Sequence, residues 1–115
     1  MFRTLSAALV IVTALLLGST SARAGEYDNY DRTVTFRNFS YVDIVAIYIS
    51  NVGSNSWGSN LLRRNQYVGA RSEVDVDLDD GTGYCRFDIK VVFRDGTVAI
   101  KQGMNACTVG VLNIN

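Results

Sequence analysis

Four aspartates between residues 72 and 81 are the side chains best placed to do chemistry, because grouped carboxylates can bind Ca²⁺. They are Asp75, Asp77, Asp79 and Asp80. An EF-hand loop requires D-x-D-x-D-G and a bidentate glutamate at position 12. Here Asp80 is inserted before Gly81, and position 12 counted from Asp75 is Arg86. The alternating valines and leucine favour a strand with a solvated acidic face, and a weak calcium site remains as an alternative.

A second group of candidate residues could contact a partner. Trp57 is the only tryptophan, and it lies in a Gly/Ser/Asn-rich loop at residues 51–60. Aromatic and arginine side chains dominate the binding energy of protein interfaces. We therefore predict partner contacts at Trp57, Arg63, Arg64 and Tyr67. The Trp57 ring could alternatively fold back as a lid over the apolar strand ends, and the small core of the domain favours this interpretation.

The sequence lacks the combinations that most enzymes need. There is no histidine, which excludes Ser-His and Cys-His nucleophile pairs and imidazole metal ligands. A lysine base requires a depressed pKa, whereas Lys90 and Lys101 are predicted on a solvated strand face. Glycoside hydrolysis requires two carboxylates that flank a cleft, and the sequence predicts no cleft. We predict a non-enzymatic protein with no cofactor beyond weakly bound calcium.

Residues 1–24 have the organisation of a signal peptide. Arg3 provides a positive start, residues 7–17 are apolar, and small residues precede a cleavage point after Ala24. The apolar run is too short for a transmembrane helix, which needs about 20 residues. We predict cleavage after Ala24, a flexible lead over residues 25–32 and a single domain over residues 33–115. The mature protein would be periplasmic or extracellular, without a membrane anchor.

The net charge narrows the class of partner. Cleavage would remove Arg3 and Arg23, so that nine basic and eleven acidic side chains remain and the net charge is −2. Nucleic-acid binding requires a basic surface, so we expect an unknown protein or an envelope component as partner.

Cys85 and Cys107 are the only cysteines, and in an oxidising compartment they are predicted to form an intramolecular disulfide.

Short alternating segments predict an all-β fold. The predicted strands cover residues 33–38, 43–50, 72–79, 84–93, 97–102 and 108–114, with a seventh if residues 66–68 pair. The first is short and is placed at a sheet edge, whereas the second is almost entirely apolar and is placed centrally. Many short strands separated by Gly, Asn and Asp turns indicate an antiparallel β-sandwich, immunoglobulin-like or similar, of six to seven strands with one intramolecular disulfide.

The hairpin at residues 84–102 is the most specific local signal. Asp95 and Gly96 are typical of a two-residue type I′ turn, in which both residues have positive φ. This turn predicts the pairs Phe93 with Val98, Val91 with Ile100, and Lys90 with Lys101. A one-residue bulge near Gly103 is then needed to bring Cys85 opposite Cys107.

Asn38-Phe39-Ser40 fits the glycosylation sequon. The same residues are also typical of a turn in which Asn and Ser side chains bond to nearby backbone. We predict the turn.

The order of several landmarks resembles a group of small exported bacterial β-domains, most of them uncharacterised. These landmarks are Phe36-Arg37-Asn38, Ile47-Tyr48-Ile49-Ser50, the loop from Trp57 to Leu62, Cys85-Arg86-Phe87-Asp88, Asp95-Gly96 and Cys107. The resemblance spans residues 34–114 and departs at residues 68–72, where such domains often have a Pro-Gly turn. It implies a β-fold and export, and it transfers no catalytic or binding residue.

The sequence therefore predicts a small exported binding or accessory module of unknown partner. One alternative is an inhibitor of a secreted hydrolase, which would present the loop at residues 51–60 on a rigid disulfide-bonded frame. The other alternative is a weak calcium-dependent binding domain that uses the four aspartates.

Overall fold

A computed structural model describes residues 28–115, and the predicted signal peptide at residues 1–24 lies outside them. Six strands form the described part of the chain: β1 (Thr33–Asn38), β2 (Ile44–Asn51), β3 (Glu73–Asp77), β4 (Arg86–Phe93), β5 (Val98–Asn105) and β6 (Val111–Ile114). In this part of the chain we find no helix of the length and hydrophobicity that crossing a membrane requires.

The strands form two three-stranded sheets in the orders β3-β1-β6 and β2-β4-β5. Together with the disulfide between Cys85 and Cys107, they confirm the predicted all-β sandwich. The segment considered as a seventh strand contributes one isolated bridge, between Val68 and Ile44. One pairing differs from the antiparallel prediction, because β6 runs parallel to β1.

The first two strands lie in the opposite positions to those predicted. β1 is the central strand of its sheet, and β2 is an edge strand. The apolar composition of β2 has another cause, because an irregular segment covers its free edge. The Gly58 N–H donates to the Ile49 carbonyl at 3.2 Å, and the Leu61 N–H donates to the Ile47 carbonyl at 2.8 Å. β2 is therefore buried because this loop covers its free edge, and not because a second strand lies beside it.

Side chains from the facing sides of both sheets form one core. Phe36 of β1 and Phe87 of β4 have no exposed surface, and full burial of such a side chain stabilises the fold by about 2–3 kcal/mol. Leu62 and Val68, from the segment that covers β2, are buried in the same cluster. The core is consequently closed on the β2 side by loop residues.

The β4–β5 turn differs from the predicted type I′ turn. The Phe93 N–H donates to the Thr97 carbonyl at 2.9 Å, so the loop contains three residues, 94–96. Within this loop only Gly96 has a positive φ, of 89°, which is the arrangement of a type I turn followed by a G1 bulge. Asp95 instead uses its carboxylate to accept the Thr97 N–H at 3.0 Å and the Thr97 hydroxyl at 2.7 Å.

The extra loop residue shifts every predicted cross-strand pair by one position. The observed pairs are Val92 with Val98, Val91 with Ala99, Lys90 with Ile100 and Ile89 with Lys101. A shift of one residue turns side chains to the opposite face of a strand. Val98 and Ile100 were predicted to point inward, but they lie on the outer face with 52% and 57% of their surface exposed.

The predicted bulge is present near Gly103, but it offsets the extra turn residue and leaves Cys85 beside Ala106, whose N–H donates to the Cys85 carbonyl at 2.8 Å. The disulfide then joins Cys85 to Cys107 in the turn that follows β5. Phe87 pairs with Met104, whereas Ile89 pairs with Lys101, so β5 contains one extra residue between these pairs. Gly103 lies in this bulge with φ 66°, and its N–H donates to the Asp88 carboxylate at 2.9 Å. The Cys85–Cys107 disulfide, with a Cα–Cα distance of 5.3 Å, is confirmed.

Arg32, the last residue of the segment predicted as a flexible lead over residues 25–32, contacts the connection between β3 and β4. The Arg32 side chain is only 1% exposed. It forms an ion pair with Asp28 at 2.6 Å and donates to the Tyr84 and Gly83 carbonyls at 2.7 and 3.0 Å. The hydrogen bond from Arg32 holds the pKa of Asp28 below its ordinary value.

Candidate functional site

The outer face of the β2-β4-β5 sheet contains an exposed group of aromatic, aliphatic and cationic side chains. We call it the Trp57 face, and it consists of Tyr48, Trp57, Lys90, Val92, Val98 and Ile100. The Lys90 ammonium lies 5.0 Å from the centroid of the Tyr48 ring and 5.0 Å from that of the Trp57 ring. Both distances fall within the range of cation–π attraction. Lys90 also pairs with Tyr48 on β2 and with Ile100 on β5.

The loop before Leu62 positions the Trp57 ring on this face. Asn60 fixes the end of the loop, because its side-chain oxygen accepts the Ile47 N–H and the Leu62 N–H, both at 3.0 Å. Leu61 and Leu62 then pack against the core. Trp57 is half-buried and lies over Lys90. The loop is therefore anchored to the core by its leucines, while the tryptophan remains available on the outer face.

The other predicted contact residues lie in a separate groove. Arg63, Arg64 and Tyr67 line a cavity of about 430 Å³ together with Arg94. The Arg94 guanidinium lies 5.2 Å from the centroid of the Tyr67 ring. Trp57 does not line this cavity. The structure thus divides the four predicted contact residues between two surfaces.

The sequence analysis did not predict the contacts that Lys90 and Arg94 make on these two surfaces. Lys90 was assigned to an ordinary solvated face, although its position opposite Tyr48 could have been found once β2 and β4 were paired. Arg94 follows β4 directly, and its Nε lies 3.1 Å from the Asp43 carboxylate. The same guanidinium group lies beside the Tyr67 ring. No local sequence pattern connects Arg94 with residues 63–67.

The four aspartates of the predicted calcium site accept hydrogen bonds from nearby groups. Asp75 accepts from the Thr35 hydroxyl at 2.6 Å, Asp77 from the Asp79 N–H at 2.9 Å, Asp79 from the Gly81 N–H at 3.0 Å, and Asp80 from the Thr82 N–H at 3.1 Å. Over residues 28–115, no three acidic, cysteine or histidine side chains group in a way that could hold a metal ion. Weak calcium binding at these residues stays the untested alternative to a solvated acidic face.

Asp80 also connects two loops, because its second carboxylate oxygen accepts the Asn51 side-chain amide at 2.9 Å. Partial burial acts to raise the pKa of Asp80. The hydrogen bonds from Asn51 and Thr82 outweigh this effect, so the pKa lies below its ordinary value. The carboxylate is consequently ionised at neutral pH and already has hydrogen-bond donors on both oxygens.

No family model and no curated protein matches this chain. Among solved structures, it is similar to the NMR structure of a protein from Eubacterium rectale, with 13% sequence identity and a TM-score of 0.45. The similarity covers 76% of this chain and 77% of that one. A likeness at this level transfers neither a fold assignment nor a function.

Proposed function

We propose that this chain is a small exported, non-enzymatic binding or accessory module that contacts a partner through the Trp57 face. The observation that carries the proposal is the exposure of Val98 and Ile100 beside the ring pair at Lys90. Aromatic side chains are enriched at interface cores, and Tyr48 and Trp57 lie on either side of Lys90 on the same face as these aliphatic side chains.

The physical reasons for binding at this face are burial and rigidity. Covering Val98 and Ile100 would remove apolar surface from water, which contributes roughly 25 cal/mol for each Å². The three-residue turn at residues 94–96 and the disulfide fix the position of β5 relative to β4. Binding of a partner would therefore cost little conformational entropy, because this surface is already ordered.

Export is supported by the disulfide and by the predicted signal peptide. Disulfides persist in oxidising compartments and are rare in the cytosol. The Cys85–Cys107 bond in a small domain is compatible with the periplasm or the cell exterior. The resemblance of the sequence landmarks to exported bacterial domains points in the same direction.

Cross-linking with matched variants tests the proposed contact surface. The purified protein, with a photo-activated cross-linker at Ser56 beside Trp57, is incubated with the envelope and culture fractions of the exporting cell. The Ile100→Lys variant should lose the cross-linked partner. The Val111→Lys variant should retain it, because Val111 is similarly exposed on an edge strand of the other sheet. Equal capture by both variants would refute the assignment of this face.

An inhibitor of a secreted hydrolase is the second candidate, and the loop at residues 51–60 favours it. Residues 52–56 are all exposed. Side chains within the loop hold its shape, because Asn51 accepts the Gly53 N–H at 2.9 Å and Ser54 accepts the Ser56 N–H at 3.2 Å. Inhibition of a secreted hydrolase that the Asn55→Arg variant abolishes and the Ile100→Lys variant retains would favour this candidate over the first.

A further inference from the structure

The groove lined by Arg63, Arg64, Tyr67 and Arg94, which we call the arginine groove, concentrates positive charge. Three of the nine Lys and Arg side chains in residues 28–115 line it, and no Asp or Glu side chain does. Asp77, Asp79 and Asp80 line a different groove. We propose that the arginine groove binds the phosphate or sulfate ester group of an anionic ligand, independently of any contact at the Trp57 face.

The guanidinium groups of this groove retain capacity to bind an anion. In the described part of the chain, no carboxylate lies within salt-bridge distance of Arg63 or Arg64. Arg94 uses its Nε for Asp43, at 3.1 Å, and its two terminal nitrogens make no hydrogen bond to residues 28–115. The Arg94 guanidinium also lies 5.2 Å from the centroid of the Tyr67 ring, within the range of cation–π attraction. The groove thus presents the guanidinium donors of Arg63 and Arg64 and the terminal nitrogens of Arg94, while Asp43 occupies only the Arg94 Nε.

A closed turn fixes the backbone that carries Arg63 and Arg64. The Gln66 N–H donates to the Arg63 carbonyl at 2.9 Å. The Gln66 side-chain oxygen accepts the Arg63 N–H at 2.8 Å. Asn65 has φ 64°, and a positive φ at the third residue alone is the pattern of a type II turn, where Asn is tolerated. Both arginines are therefore attached to a preformed backbone.

The chemistry of the donors selects the ligand class. Guanidinium groups bind phosphate-like oxyanions through paired N–H donors more strongly than an ammonium group does. A volume of about 430 Å³ lies within the range of small-molecule sites, which is enough for an ester group and part of the molecule that carries it. A long polyanion fits poorly, because the mature chain has a net charge of −2.

NMR titration of the ¹⁵N-labelled protein tests this inference with defined probes. Sodium phosphate and sodium sulfate are titrated separately against sodium chloride at constant ionic strength. We expect amide shifts confined to residues 60–67 and 94, with dissociation constants in the millimolar range for the free ions. The Arg63→Gln/Arg64→Gln variant should weaken binding about tenfold, because it removes two charge-assisted donors.

The control variant removes the same charge elsewhere on the surface. Arg37 and Lys101 are exposed and lie outside the arginine groove, so Arg37→Gln/Lys101→Gln should change affinity by less than twofold. The proposal would be overturned if both double variants weakened binding equally. It would also be overturned if neither phosphate nor sulfate caused a localised shift at 50 mM. Glucose 6-phosphate and glucose 6-sulfate then identify which ester is preferred, and the variant spectra verify folding in every case.

Discussion

Replacement of Asn38 is the sharpest test of how the two sheets are connected. Its side chain is 1% exposed, and its amide nitrogen donates to the carbonyls of Val42, Val68 and Gly69 at 2.8, 3.1 and 3.2 Å. Its oxygen accepts the Ser40 N–H at 3.0 Å and the Ser40 hydroxyl at 2.7 Å. These local bonds confirm the predicted turn at residues 38–40. One amide thus joins the end of β1 to the segment that covers β2.

The Asn38→Ala variant should lose about 3 kcal/mol of unfolding free energy, because it removes several buried hydrogen bonds that each contribute about 0.5–1.5 kcal/mol. The three carbonyls each keep a second donor, namely the Ser40 hydroxyl, the Ile44 N–H and the Ser72 N–H, so the loss comes from the bonds of Asn38 itself. For a domain of this size, 1 kcal/mol lowers the melting temperature by roughly 4–8 °C. We therefore expect the Asn38→Ala variant to melt about 15 °C lower than the original protein.

The Asn38→Asp variant adds a dependence on pH. An ionised carboxylate would face three carbonyl oxygens, so the folded state raises its pKa above the unfolded value of about 3.9. The protonated form can still donate one hydrogen bond. Its stabilising contribution is fully present below about pH 4 and is lost as the pH rises through the folded pKa. The stability gap between this variant and the original protein should therefore widen from pH 4 to pH 7.

Urea unfolding followed by the emission of Trp57 measures these differences, because Trp57 is the only tryptophan. Asn105→Asp is the matched control. The Asn105 side-chain oxygen accepts the Cys107 N–H at 3.0 Å, and an aspartate can do the same. The control should change stability by less than about 0.5 kcal/mol. A fully stable Asn38→Asp variant at pH 7, or one whose deficit is the same at pH 4 and pH 7, would refute the donor role of Asn38.

Three further predictions concern the disulfide, the bulge and the aspartates. Replacing both Cys85 and Cys107 with Ala should reduce stability by about 3 kcal/mol in urea unfolding, as expected for a loop of this length; an unchanged midpoint would contradict it. Gly103→Ala should cost about 1–2 kcal/mol because of its positive φ, whereas Gly110→Ala should be nearly neutral, and equal effects would refute the strain argument. Addition of 2 mM CaCl₂ should leave the melting temperature unchanged, because carboxylates in residues 75–80 already accept hydrogen bonds; a rise of several degrees would favour the calcium-dependent alternative.

Alternation of apolar and polar residues predicted the existence of the strands well. Residues 84–93 of the sequence contain inward Phe87 and Ile89 between outward charged residues, and β4 has that pattern. The disulfide was also predictable, because the only two cysteines lie near the two ends of the hairpin, and their offset indicated a bulge near Gly103. These features depend on interactions that are local or within one hairpin.

Features that depend on distant parts of the chain were predicted less well. The short length of β1 predicted an edge position, and the apolar composition of β2 predicted a central one, because an apolar strand is usually covered on both sides. The loop that covers β2 gives the same burial through Leu62 and Val68. The sequence likewise identified Arg63 and Tyr67 without Arg94, since the contact between Tyr67 and Arg94 depends on the packing of two separate loops.

The β4–β5 turn shows how a small local preference determines the candidate surface. Asp95 and Gly96 are compatible with a two-residue type I′ turn or with a three-residue turn. Two hydrogen bonds between Asp95 and Thr97 accompany the three-residue turn. That turn places Val98 and Ile100 on the outer face, next to Lys90. Leaving their aliphatic surface in water costs roughly 25 cal/mol for each Å², and the partner contact that we propose at the Trp57 face would offset this cost.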